Sequence, residues 1–431
     1  MIARRQSRRE ILKNAAALAA AASAGGVIGR AAAQVKGGTM PSHAQIDAVL
    51  SRGTESGEVP GVVAMAATDK GVIYEGAFGR RDLAKGSAMT PDTIFRLASM
   101  TKAITSVAAM QLVEQGKLSL EEPIGKILPE LASPQVLAGF DASGEPQLRP
   151  AKRPITLHLL LTHTAGFAYD IWDTSIQRYI KVTGTPPGST GKLASLRLPL
   201  VFDPGERWEY GINLDWAGRA VEAASGQPLD AYFRQHIVGP LGMTDTDYVF
   251  SPAQQPRLVT AYQREAGGKL EPIAVETAPP KREFWSGGGG LYSTARDYLV
   301  FLQMLLHQGS FNGVRLLRPQ TVALMGRNQI GAIDAGILKT AMPERSNNVD
   351  FFPGIPCKWG LAYMINTRPG PNGRSAGSLT WAGIYNTYYW LDPHKHVAGV
   401  IMTQILPFAD YPAVALYGRF ERAMYTALEA A

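Results

Sequence analysis

Two blocks of strand-like sequence stand at opposite ends of this chain, and any fold it adopts must reconcile them. Gly61 to Thr68 and Val72 to Phe78 are apolar runs around Asp69-Lys70-Gly71, a pattern that predicts a hairpin. Towards the C-terminus, Trp359 to Ile365, Ser378 to Trp381, Tyr385 to Leu391 and Val397 to Thr403 are short segments rich in aromatic or β-branched residues. Turn residues such as Asp392-Pro393 separate them, so they predict consecutive antiparallel strands. Between the blocks the pattern is helical over Leu157 to Leu161, Leu214 to Ala224, Leu229 to Val238, Thr294 to Leu306 and Pro319 to Met325. Ile46, Val49 and Leu50 predict a short leading helix, and Tyr411 to Leu428 a closing one. Strands early, helices in the middle and strands late fit an α+β fold. One sheet, flanked by helices, is assembled from both ends of the chain around an inserted, mostly helical region. The expected division is a sheet-bearing part over about 40–116 and 285–431 and an insert over about 117–284, the whole forming one domain over 34–431.

Residues 1–33 follow a different grammar. Arg4, Arg5, Arg8, Arg9 and Lys13 precede an Ala-rich run from Ala15 to Ile28, and Ser7-Arg8-Arg9-Glu10-Ile11-Leu12-Lys13 is similar to the twin-arginine pattern of bacterial precursors exported already folded. Ala31-Ala32-Ala33 offers a small-residue cleavage site, and the run is shorter than the ~20 apolar residues a membrane span needs. The expectation is a periplasmic or secreted protein with no stable membrane insertion once the signal is removed. The segment holds six basic residues and one acidic residue, so removing it takes the formal charge from +7 to +2. A nearly neutral protein lacks the concentrated basic face that nucleic acid or an anionic membrane requires. Cys357 is the only cysteine, which excludes an intramolecular disulfide, and His394 and His396 stand without further ligands. No metal or cofactor is expected.

The chemistry starts at Ser99-Met100-Thr101-Lys102, which opens a helical pattern carried by Ile104, Val107, Ala108, Leu112 and Val113 until Gly116 stops it. Residues three apart on a helix share a face, so the Lys102 amine can reach the Ser99 hydroxyl. A serine hydroxyl needs such a base, and an amine serves as one when burial or a second cation favours its neutral form. At the helix start, unpaired N–H groups and the positive end of the macrodipole favour negative charge on a substrate.

Further landmarks follow in order. Thr93-Ile94-Phe95-Arg96-Leu97-Ala98 leads into the S-x-x-K motif, Leu159-Leu160-Leu161-Thr162-His163-Thr164-Ala165-Gly166-Phe167 comes next, and Asp203-Pro204-Gly205-Glu206-Arg207-Trp208-Glu209-Tyr210 after it. From about residue 45 to the C-terminus the chain resembles the serine β-lactamase and penicillin-binding-protein superfamily, in the class C β-lactamase-like branch that includes family VIII carboxylesterases. The resemblance implies a β-lactamase-like fold, with Ser99 as acylated nucleophile, Lys102 as its base and Tyr210 sharing proton transfer. It implies that the three side chains converge within hydrogen-bonding distance. The family's Lys-Thr-Gly is replaced by Trp381-Ala382-Gly383, and loss of that lysine favours a neutral acyl substrate. The resemblance also puts the backbone N–H groups of Ser99 and Ile384 in an oxyanion hole. Trp381, Gly383 and Asn213, the last one place later than the family's asparagine, are expected along the substrate.

Gly373-Arg374-Ser375-Ala376-Gly377 matches the G-x-S-x-G nucleophile elbow, yet it lacks the strand before and the helix after that this motif requires, so Ser375 is read as a loop residue. His163 is read as structural. Gly287 to Gly290 carries no phosphate-loop lysine and is read as a place of close backbone approach. The expected activity is hydrolysis of a small-molecule carboxylic ester through an acyl-serine intermediate. The alternatives are an amidase, D-amino-acid peptidase or weak β-lactamase of the same superfamily, or a non-catalytic envelope-binding protein.

Overall fold

Gly61 to Thr68 is buried along almost its whole length, so this strand requires a neighbour on each edge and cover on each face. The computed structural model, which describes residues 43–274 and 281–430, supplies both. The expected export segment, residues 1–33, lies outside the described residues. The sheet strands are β1 (Gly61–Thr68), β2 (Gly71–Asp82), β3 (Ser87–Ala88), β4 (Cys357–Trp359), β5 (Met364–Asn366), β6 (Leu379–Gly383), β7 (Thr387–Asp392) and β8 (Val397–Met402). They form one eight-stranded sheet in the order β4-β5-β6-β7-β8-β1-β2-β3. Every ladder in it is antiparallel, and the ladder from Val63↔Met402 to Thr68↔Val397 joins the two ends of the chain.

Helices cover both faces. They are α1 (His43–Glu55), α2 (Thr101–Glu114), α3 (Asn213–Ser225), α4 (Ala295–Leu306) and α5 (Tyr411–Glu429). Successive side chains of a strand point to opposite faces, and β7 shows the result. Tyr388 stacks on Tyr417 of α5 with ring centres 4.7 Å apart, and Trp390 meets Phe420 of the same helix at 5.6 Å. Tyr389, between them, packs on Tyr298 of α4 at 5.3 Å. The terminal helices α1 and α5 thus share one face, and α4 takes the other. Thr294 caps α4 by accepting the Asp297 N–H.

Three sequence expectations are corrected. Trp359 to Ile365 is not one strand: it holds the end of β4, a turn over 360–363 and the start of β5; at Gly360 a side chain would strike the Met325 carbonyl at 2.1 Å, and Ala362 has φ +91°. The insert also contains hairpins at Gln135–Phe140 with Pro146–Pro150 and at Tyr262–Arg264 with Leu270–Pro272. These exposed or three-residue strands carry too little alternation to be read from sequence. Finally, α2 has no single core-facing stripe. Twelve of its fourteen residues are buried, because it packs along α3 inside the molecule. Among the described residues no helix is long and apolar enough to cross a membrane.

Gly399 in β8 stands opposite Trp390 in β7, and a Cβ there would lie 2.1 Å from the indole ring. Gly399→Ala should therefore lower stability in urea unfolding by roughly 1–3 kcal/mol through overpacking, and Trp390→Phe in the same chain should recover part of the loss.

Candidate active site

The approach to Ser99 is bent by the backbone. Phe95–Arg96 pairs with Tyr292–Ser293, the Leu97 N–H donates to Leu291 O at 2.8 Å, and Ala98 then adopts φ +46°. A left-handed conformation in a non-glycine residue costs about 1 kcal/mol or more and survives only where its surroundings enforce it. It turns the chain into the short 3₁₀ segment Ala98–Met100 and sets Ser99, partly exposed, at the entrance of α2.

One turn later Lys102 is 1% exposed. Its Nζ lies 3.1 Å from Ser99 Oγ and donates to Gly288 O at 2.7 Å and to the Tyr169 hydroxyl at 3.2 Å. Tyr210 comes to the same place with a different contact from the one expected. Among the described residues it makes no hydrogen bond to Ser99 or Lys102. Instead its ring lies beneath the amine, 4.7 Å from Nζ to the centroid, and its oxygen accepts the Trp381 indole N–H at 2.9 Å. The phenol is thus packed against the amine by its face and held by a direct N–H donor at its oxygen.

That bond corrects the expectation for Trp381. The indole is only 2% exposed and sits among Tyr210, Trp208 and Trp359, so it acts on the tyrosine and offers no wall to a substrate. Asn213 is corrected as well. It is fully buried at the start of α3, and its amide donates to His163 Nδ1 at 3.0 Å and to Phe167 O at 3.3 Å. The isoleucine at position 212 moves the amide one residue along, which turns it behind Tyr210 and away from any substrate. His163 is structural as expected: its ring packs 4.7 Å from that of Tyr210, and its Nδ1 also accepts the Gly211 N–H. Burial, with the Lys102 charge second, pushes the imidazole well below its ordinary value and keeps it neutral.

Gly383 ends β6 against the nucleophile segment, where a Cβ would lie 2.2 Å from Leu97 O. Only glycine permits that approach, which packs the end of β6 against the Ser99 turn. Among the described residues the backbone N–H groups of Ser99 and Ile384 have no acceptor, as an oxyanion site requires. The glycine run provides the expected close approach too. A Cβ on Gly287 would meet Leu214 O at 2.3 Å, and Thr105 of α2 donates to Gly287 O at 2.7 Å. Ser375 lies in the loop between β5 and β6, its N–H bound to Asp392 and its carbonyl to Asn366, with no helix after it. Tyr169 is the site residue that sequence reasoning missed; no motif around it marks it.

A family model described as Beta-lactamase matches residues 46–423. An acyltransferase of Monascus pilosus is 33% identical over 360 residues, covering 79% of this chain and 85% of that protein. A lovastatin esterase of Penicillium rubens is 32% identical over 376 residues, covering 84% and 93%. Among solved structures, a mutant simvastatin synthase from Aspergillus terreus superposes with a TM-score of 0.78 at 30% identity, covering 90% of this chain and 98% of that one.

Glu209, next to Tyr210, is largely buried. Burial first and the Asp173 charge second push its carboxyl up to about 7, against the pull of Arg207. A carboxyl raised in the folded state stabilises the fold below its unfolded value, and that contribution is lost as pH rises through the folded value. The urea midpoint of the wild type should fall as pH rises from about 5 to about 8, and Glu209→Gln should flatten this slope.

Proposed function

This chain belongs to the Beta-lactamase family, and on that premise we propose that it cleaves carboxylic esters through an acyl-serine intermediate. The observation that carries the reading is the position of the Lys102 amine, 3.1 Å from Ser99 Oγ in a site closed to water behind it. Ser99 Oγ attacks the ester carbonyl as its proton passes to the Lys102 amine. The carbonyl oxygen, now negative, is held by the N–H groups of Ser99 and Ile384, where losing one donor costs ~10²–10³ in rate. The C–O bond to the alcohol breaks, the alcohol leaves with a proton delivered through the Lys102 and Tyr210 pair, and the acyl group stays on Ser99. Water then attacks the acyl-serine, giving up a proton to the same pair; the bond to Ser99 Oγ breaks as that proton returns to the oxygen, and the carboxylic acid leaves.

Trp381 in place of a lysine supports a neutral acyl group, since it removes the cation that would pair with a substrate carboxylate. A second reading is supported by the acyltransferase relative: an alcohol replaces water in the second step, and the acyl group is transferred to it. Both readings share every residue and differ only in the acceptor. The twin-arginine-like segment supports export to the periplasm or exterior.

With short p-nitrophenyl esters as substrate, Ser99→Ala and Lys102→Ala should each lower kcat by about a thousandfold or more, and a fluorophosphonate probe should label the wild type at Ser99 but not Ser99→Ala. Nitrocefin should turn over far more slowly than the esters. D-alanyl amides cleaved faster than the esters would replace ester cleavage with amide cleavage. Adding a primary alcohol and measuring ester product against free acid separates transfer from hydrolysis.

A further inference from the structure

A neutral primary amine has two N–H bonds and one lone pair. To act as a base on Ser99, Lys102 must have both N–H groups occupied elsewhere, so that the lone pair is the position left facing the hydroxyl. Gly288 O at 2.7 Å and the Tyr169 hydroxyl at 3.2 Å are two acceptors in the required number. Both lead to one side chain. Asp215, in the first turn of α3 and buried, accepts the Gly288 N–H at 3.0 Å through Oδ1. Its other oxygen and the Tyr169 hydroxyl lie 2.6 and 3.0 Å from the point where a Cβ on Gly288 would stand. Burial first, and the nearby Asp215 charge after it, push Tyr169 well above its ordinary value, so its proton stays on. The Tyr169 oxygen is thereby left free to accept from Lys102.

The carboxylate is itself fixed. Ser286 Oγ donates to Oδ1 at 2.5 Å, and Tyr248 holds the Ser286 carbonyl at 2.7 Å. A first-turn aspartate commonly serves its own helix, but here the hydrogen bonds run outward to Ser286 and Gly288. From these contacts we infer that Asp215 is a positioning residue for the reaction. It locks the Gly288 carbonyl and the Tyr169 hydroxyl as a pair of acceptors, and the pair aims the Lys102 lone pair at Ser99. Gly288 must be glycine for the same reason, because a side chain would stand between the carboxylate and the phenol.

The inference rests on Lys102 being the base, and the experiment separates the two claims. Asp215→Asn keeps an acceptor for Gly288 and Ser286 but removes the carboxylate from Tyr169; Tyr169→Phe removes one acceptor from Lys102 and nothing from Gly288. Each should lower kcat and the rate of fluorophosphonate labelling of Ser99 by about tenfold or more while KM stays within about twofold, since aim and not substrate binding is lost. In the double variant the two losses should fall short of additive, because they act through one amine. Urea unfolding of each variant reports whether it folds, and Tyr169→Phe carries the test if Asp215→Asn does not. Wild-type labelling rates in both folded variants, with Lys102→Ala inactive, would overturn the inference alone. Wild-type labelling in Lys102→Ala would overturn the reading of Lys102 as base and the inference with it.

Discussion

An amine shut away from water must find every hydrogen-bond partner inside the protein, and that requirement on Lys102 governs the arrangement around it. Its partners come from three separate stretches of chain: Ser99 one turn back, Tyr169 after the short helix Leu157–Leu161, and Gly288 in the glycine run. For a backbone carbonyl to reach the amine, the run must thread between α2 and α3 with no side chains in the way. Contacts of Gly287 with Leu214 and of Gly288 with Asp215 show how little room is left. The full burial of α2 belongs to the same solution. A helix with one wet face would give the lysine water in place of these partners.

The sheet was legible because its strands are long runs of apolar or aromatic residues with clear turn signals, and β1, β2, β7 and β8 fall close to the expected segments. The divided strand at Trp359 to Ile365 was not, since a reversal enforced by one carbonyl contact at Gly360 leaves no mark in the apolar pattern. At the site, the S-x-x-K spacing was sufficient to place Lys102 on Ser99, because that contact is local to one helical turn. Contacts between distant segments were hidden. Position 381 could be recognised as a departure from the family, but the direction of the indole N–H, towards Tyr210, depends on how β6 crosses behind that ring. Asn213 was misplaced because one inserted residue rotates a side chain by roughly a quarter turn or more at a helix start. Tyr169 and Asp215 belong to no motif, and they meet because the segment 167–169 folds onto the entrance of α3, where the Tyr169 N–H donates to Tyr210 O.

Two aromatic side chains, Trp381 and Tyr210, are joined beside the Lys102 amine. Trp381 contributes an N–H and Tyr210 a π face, and both are buried. On the proposed reading, the lysine that Trp381 replaces is not there to select an anionic substrate, while the contacts of Lys102 with Ser99 are kept.

The ladder between β1 and β8 carries a consequence for biosynthesis. Val63 and its partner Met402 are more than three hundred positions apart, so the central pairing of the sheet cannot form until the chain has grown through β8. Until then the hairpin of β1 and β2 presents an apolar edge that any other extended chain could join. Closure of the sheet is therefore a late event, and the edge of β1 stays open until β8 arrives.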